Sequence, residues 1–184
     1  MSGFNLSFYL SEIRTKILAI LSRPLRDELT YDILDSQNSI NNKRIALHVK
    51  QRQMKIGVIM QVVIGNYDKM TDLGIGHETG LDILSVERKL VIELKNRTNT
   101  DNASSKKSNL DKLAKFKRQH PDYECIYGCV NDDTEEKTMT GEITTIMHDG
   151  VELRKYTGMK LLNHIFGENT KTIIDLVREL LDSN

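Results

Sequence analysis

Asp82 lies eleven positions before Glu93, and Glu93 is followed by Leu94 and Lys95. Two carboxylates and an ammonium at this spacing converge when the two segments are paired strands, and such a point can hold a divalent metal and a water. Side chains alternate along a strand, so Glu93 and Lys95 share one face while Ile92 and Leu94 point the other way, into a core. A tight hairpin through Glu87-Arg88-Lys89 would bring Asp82 alongside them. Hard carboxylate oxygens suit Mg²⁺, and a metal-bound water becomes a nucleophile for phosphodiester hydrolysis. Lys95 would orient that water or stabilise charge on the pentacovalent phosphate. The plain alternative is an exposed hairpin with a solvated salt bridge, a common and energetically minor feature. Against it stands the context, an acid-x-lysine on an apolar strand rather than in a polar loop.

More polar groups flank this centre. Glu78 lies four positions before Asp82 and shares its face if Gly80 leaves the strand regular. It would then be a further catalytic acid or metal ligand, and otherwise an exposed loop acid. His77 suits a turn or packing position better than a general base. Downstream come Asn96, Arg97, Asn99, Thr100, Asn102, Ser104 and Ser105, then Lys106, Lys107, Lys112 and Lys115. Amide side chains can read base edges, while hydroxyls and lysines can hold phosphate. Turn chemistry also favours Asn, Thr and Ser, and most lysine-rich helix faces are simply solvated.

The run Gly76-His77-Glu78-Thr79-Gly80-Leu81-Asp82-Ile83, followed by Glu93-Leu94-Lys95-Asn96-Arg97-Thr98-Asn99-Thr100, resembles the PD-(D/E)xK nuclease superfamily. Leu81-Asp82 stands where that motif has Pro-Asp. Within the superfamily it resembles the SinI-like type II restriction endonucleases, which cut GGNCC or GGWCC sites. The likeness continues through Asn102-Ala103-Ser104-Ser105 and the lysine-rich helix, and Tyr156-Thr157-Gly158 matches a pattern of the same group; it covers roughly residues 45–166. The resemblance implies a Mg²⁺ held by Asp82, Glu93 and the Leu94 carbonyl, double-stranded DNA as partner, and a homodimer cutting a short palindrome. A structure-specific or repair nuclease would keep the same metal centre. A non-catalytic DNA-binding module would keep only the core, and the retained triad speaks against it.

Composition leaves room for this reading without demanding it. Lysine plus arginine number 26, as do aspartate plus glutamate, so global charge does not announce a polyanionic partner. The distribution does: from Leu94 to His120 there are eight basic residues against two acidic ones, followed by the acidic stretch Asp132, Asp133, Glu135 and Glu136. Such a basic stripe is what phosphate contact needs. Cys125 and Cys129 sit four apart in an apolar run, where they share a strand face and cannot bridge. Buried reduced thiols, and so a cytoplasmic protein, are expected. Neither an export signal nor a membrane-spanning run is recognisable.

The elements that must position the triad follow from periodicity. The 184 residues suit a single nuclease domain 1-184: an N-terminal helical segment 1-42, a catalytic core 43-130, and a C-terminal hairpin with helices 131-184. Leu6 to Leu21 has the helical period. Pro24 interrupts it, and a second short helix is expected over Leu25 to Leu34, then a polar loop over Ser36 to Asn42. Arg44 to Tyr67 carries Ile45, Val49, Ile56, Ile59 and Val63 on one face, a long helix despite Gly57 and Gly65. Strands are expected over Leu81 to Val86, Lys89 to Lys95, Tyr123 to Val130, Gly141 to His148 and Val151 to Tyr156. Helices capped by Ser104 or Ser105, and over Gly158 to Phe166 and Thr170 to Leu181, complete the pattern. The fold class expected is α/β, a restriction-endonuclease-like core with a central mixed β-sheet flanked by helices.

Overall fold

The structure, a computed structural model, describes residues 3–74, 76–97 and 102–183. A six-stranded mixed sheet runs in the order β1-β2-β3-β4-β6-β5. Its strands are β1 (Thr71–Asp72), β2 (Ile83–Ser85), β3 (Leu90–Arg97), β4 (Glu124–Asn131), β5 (Ile143–His148) and β6 (Val151–Thr157). The central neighbours β3, β4 and β6 are parallel; β1, β2 and β5 pair antiparallel at the two edges. The helices are α1 (Leu6–Leu21), α2 (Gln37–Gly65), α3 (Ala103–Gln119), α4 (Glu135–Thr140), α5 (Gly158–Phe166) and α6 (Thr170–Asp182). This is the mixed α/β sheet expected.

Each sheet face carries its own core, because alternate residues of the central strands point to opposite sides. Ile92, Ile126 and Val130 pack with α1, α2, α5 and α6 residues such as Ile13, Ile59, Leu161 and Ile173. Val91, Cys125 and Tyr127 pack on the other face with Leu110, Leu113 and Phe116 of α3. Glu93 and Lys95 follow Val91 in register, so they belong to the α3 face. Cys125 and Cys129 are buried thiols outside any disulfide, and burial pushes the Cys125 thiol up to about 11.

Two sequence expectations fail in the N-terminal region. Residues 23–36 form no helix; they run back along α2, with Arg26 N–H donating to Gln51 Oε1 at 2.7 Å and Gln51 Nε2 donating to the Arg26 carbonyl at 2.7 Å. The polar residues expected as a loop are instead the first turns of α2, which Ser36 caps by accepting from Ser39 N–H. The N-cap of α3 is Asn102, whose Oδ1 accepts from Ser105 N–H at 2.8 Å; neither Ser104 nor Ser105 caps it. The acidic stretch contains the short helix α4, capped by Thr134.

The two glycines that weaken the helical pattern of α2 are where it meets the strands. A Cβ at Gly65 would stand 2.6 Å from Asp72 Cβ and 2.9 Å from its Cα, and one at Gly57 would stand 3.5 Å from Asn96 Cβ. The helix can therefore lie directly against β1 and the end of β3. No helix among the described residues is long and apolar enough to cross a membrane.

Candidate active site

Asp82 sits just before β2 and is held on both sides by backbone bonds. Its N–H donates to the Ile92 carbonyl at 3.2 Å, and its carbonyl accepts from Leu73 N–H at 2.9 Å. The β2–β3 turn spans Val86 to Lys89, with Lys89 at φ +50°, and closes a register that pairs Ile83 with Ile92. The Asp82 side chain then reaches across to β3, where its Oδ2 accepts from Leu94 N–H at 2.7 Å. Two positions along the chain from Glu93, Lys95 donates from Nζ to Glu93 Oε1 at 2.7 Å.

Burial makes this group of charges unusual. The Glu93 side chain is 3% exposed and that of Lys95 21%. One carboxylate oxygen of Glu93, Oε2, is buried without a hydrogen-bond partner among the described residues. Burial pushes the Glu93 carboxyl above the usual carboxylate range, against the Lys95 hydrogen bond, and the neighbouring Asp82 charge pushes it the same way. Asp82 is raised too, chiefly by burial, with the Leu94 N–H, Lys95 and Lys112 opposing and the Asp72 charge adding. Two partly desolvated carboxylates facing each other, one with an oxygen left over, call for positive charge. The hard-oxygen donor set fits a divalent cation of the Mg²⁺ kind.

Two further residues bear on the centre. Lys112 of α3 acts electrostatically on both Asp82 and Glu93, and its Nζ bonds the buried Asn109 at 3.2 Å. The sequence expects Lys112 on DNA phosphate, and in the fold it also lies near the two carboxylates. Asp72 carries no motif spacing. Its Oδ1 accepts from Gln61 Nε2 and Gly74 N–H, each at 3.0 Å, beside Asp82. A lone acid ten residues upstream on a two-residue strand gives no sequence signal.

The remaining candidates lie at graded distances from this centre. Gly80, at φ +64°, breaks the extended run, so the regular strand that would align Glu78 with Asp82 does not form. Glu78 is exposed in a turn, at a hollow it shares with Lys112 and Lys115. Asn96 is engaged within the fold: its Nδ2 donates to the Gln53 carbonyl at 3.0 Å, and its Oδ1 accepts from Asn131 Nδ2 at 2.9 Å. Arg97, Asn102, Ser104, Ser105, Lys106, Lys107 and Lys115 are exposed at the end of β3 and on α3. Asn99 and Thr100 lie outside the described residues. Tyr156 and Thr157 are tied into the fold, Tyr156 donating to Glu124 Oε1 at 2.8 Å and Thr157 Oγ1 accepting from Glu142 N–H at 3.0 Å.

A different cluster also offers metal-ligand atoms. Asp111 on α3, with His148 and Asp149 at the β5–β6 turn, brings such atoms within 4.8 Å of one another. His148 Nε2 lies 2.6 Å from Asp111 Oδ1, and the Arg118 guanidinium lies 4.0 Å from Asp149. Asp111 and His148 already bond each other, in contrast to the Glu93 oxygen, which has no partner among the described residues.

No curated protein matches the chain. The model of the family described as Eco47II restriction endonuclease matches residues 26–156, a span that holds β1 to β5 and all three residues of the Asp82–Glu93–Lys95 group. That match covers well over half of the sequence, and the chain belongs to the Eco47II restriction endonuclease family.

Proposed function

We propose that the chain is a type II site-specific deoxyribonuclease: one nuclease domain that acts in the cytoplasm as a homodimer and hydrolyses phosphodiester bonds of double-stranded DNA at a short palindrome. The observation that carries this is the buried Glu93 with its unpartnered Oε2, next to Asp82 and Lys95, in a chain of a restriction endonuclease family. Asp82 and Glu93 would hold Mg²⁺, with the Leu94 carbonyl as a further ligand. When bound, the cation would make a bound water more acidic and neutralise charge on the phosphate.

The chain's own groups do the rest. Glu93 fixes the Lys95 ammonium 2.7 Å from its Oε1, at the edge of the buried pair. From there Lys95 stabilises the negative charge that grows on the phosphate oxygens in the transition state. Lys112 adds a second cation from the α3 side. Leu94 N–H holds Asp82 in place. The exposed residues Arg97, Asn102, Ser104, Ser105, Lys106, Lys107 and Lys115, with Asn99 and Thr100, would meet the duplex beside the site. One chain holds one such centre and a duplex has two strands, so a two-fold pair matches a palindromic site. The likeness of the Glu93 to Thr100 segment to the SinI-like group points to a GGNCC or GGWCC target.

The test is a digest of mixed-sequence duplex DNA with Mg²⁺. Discrete fragments ending at one sequence class are expected. Cleavage of branched DNA alone would replace this function with a structure-specific nuclease, and binding without any cleavage would reduce the chain to a DNA-binding module.

A further inference from the structure

The first part of α2 is an arm. The helix has 29 residues, yet its buried ones all lie at Ile59 or beyond. Its apolar stripe continues outward with Arg52 as its one charged member: Ile59 and Val63 are in the core, Ile56 is partly buried, and Val49 and Ile45 are 52% and 63% exposed. An amphipathic stripe that runs out of the body keeps its apolar character while the described residues leave it largely exposed. Leu25, Tyr31, Ile33 and Leu34 are exposed in the same region.

The segment before α2 is clamped along this arm in a fixed order. Lys55 Nζ donates to the Leu21 and Arg23 carbonyls, Gln51 is bonded to Arg26, His48 lies 2.6 Å from Asp27, and Lys43 lies 2.6 Å from Asp35. The arm therefore has a base near Lys55 and a tip near Gln37, about 27 Å apart at helical rise. At the tip, Asp35 N–H donates to the Asp32 carbonyl at 3.0 Å and closes a turn that presents Ile33 at 99% and Leu34 at 88% exposure. At the base is a cleft of about 480 Å³ whose apolar lining includes Leu21, Pro24, Val49, Ile56 and Leu181, with the exposed Arg23 and Arg52 among its walls.

Tip and base are complementary to each other. The tip is an apolar pair beside one exposed carboxylate, Asp32, since Asp35 is taken up by Lys43. The base is an apolar cleft flanked by guanidinium groups. A chain cannot fill its own cleft with its own tip, because a continuous helix holds them apart. An antiparallel second arm brings each tip to the other's base. A surface that carries both halves of a match at its two ends is what a closed two-fold contact uses.

We propose that the N-terminal arms of two copies of this chain pair antiparallel about a two-fold axis. Ile33 and Leu34 of each copy enter the base cleft of the other, with Asp32 opposite Arg23 and Arg52, and Ile45 and Val49 are covered between the helices. This rests on the two-copy reading above and names its interface. Asn96 bonds Gln53 of α2 next to Lys95, so the arms also set the spacing of the two Asp82–Glu93 centres.

Sedimentation of the full chain without DNA, over a concentration range, tests it. Wild type should be a dimer. Leu34→Asp, Val49→Asp and Arg52→Glu should each raise the dimer dissociation constant by at least about tenfold. Their circular dichroism should match wild type, since all three sites are exposed. Arg52→Glu combined with Asp32→Arg should recover most of the lost association, which a merely structural defect would not do. A wild type that stays monomeric, or variants that dimerise as wild type does, would overturn the interface. Duplex cleavage is scored separately: a dimer sensitive to these variants that never cuts DNA sinks the nuclease function alone, and a cutting dimer indifferent to them sinks the arm alone.

Discussion

The Leu94 backbone N–H donates to Asp82 Oδ2 at 2.7 Å, so the acid just before β2 is locked to the strand that carries Glu93 and Lys95. The bond separates two tasks of Asp82, accepting from the sheet and offering a negative charge. Asp82→Asn keeps an oxygen for Leu94 and loses the charge. Asp82→Ala loses both and leaves a partly buried N–H unpaired, at a cost of about 1–3 kcal/mol. Both variants should fail to cleave and still bind DNA, because the metal site is removed and the groove contacts are not. Only Asp82→Ala should lower the thermal midpoint clearly. Normal cleavage by Asp82→Asn would remove Asp82 from the chemistry.

Glu93 should make the metal-free protein sensitive to pH in an unusual direction. Its folded pKa lies above the ordinary carboxylate value, chiefly through burial. The folded state therefore holds a proton that the unfolded chain releases, and stability falls as pH rises from the ordinary value through the folded one. Asp82 acts in the same direction. Glu93→Gln should thus stabilise the metal-free protein at neutral pH, on the order of 1 kcal/mol or about 2–4 °C in thermal midpoint. Added Mg²⁺ should raise the midpoint of wild type and do little for Glu93→Gln. Thermal melts across mild acid to neutral pH, with and without Mg²⁺, check this; a wild type that gains stability steadily toward neutral pH without metal would contradict it.

The site's core was legible in the sequence because it rests on strand alternation and a short hairpin. Val91, Glu93 and Lys95 must share a face, and a turn before Leu90 must bring Asp82 near. Gly158–Phe166 and the strands after Asn131 were legible for the same local reason, periodicity with turn residues between. The arm was not. The Leu25 to Leu34 segment has helical-looking apolar spacing, yet its backbone and side-chain bonds go to α2, a tertiary choice no local pattern records. The first turns of α2 look like a loop because they leave the body and need no core face. Lys112 and Asp72 were hidden for a related reason: each comes to Asp82 from a different element, at no fixed spacing from the acid-x-lysine.

Lys112 and Lys115 are three apart on α3 but should behave differently. Lys112 is partly buried and acts on both carboxylates, whereas Lys115 is exposed. Lys112→Ala should slow cleavage at saturating DNA and leave the salt dependence of binding nearly unchanged. Lys115→Ala should weaken binding on all sequences and flatten the salt dependence by about one counterion, with little change in the saturated rate. Binding isotherms at several salt concentrations, paired with single-turnover rates, separate the two. Identical behaviour of both variants would return Lys112 to the phosphate-contact role.

Lys95 divides catalysis from architecture. Its ammonium lies 2.7 Å from the oxygen of a carboxylate that is itself 3% exposed. Lys95→Ala leaves Glu93 buried without that cation, so the metal-free variant should be less stable at neutral pH and recover in mild acid, where Glu93 takes up a proton. Mg²⁺ should restore stability at neutral pH by replacing the missing positive charge. It should not restore the rate, because an ammonium beside the scissile phosphate stabilises the transition state more than the bound ground state. With saturating enzyme and Mg²⁺, single-turnover cleavage should fall by about 10² to 10³-fold while DNA binding holds. Lys95→Arg should not rescue it, since a planar fork would bridge the carboxylate differently from a compact ammonium. A Lys95→Ala variant that is stabilised by Mg²⁺ and cuts at the wild-type rate would leave Lys95 as the structural partner of Glu93 and nothing more.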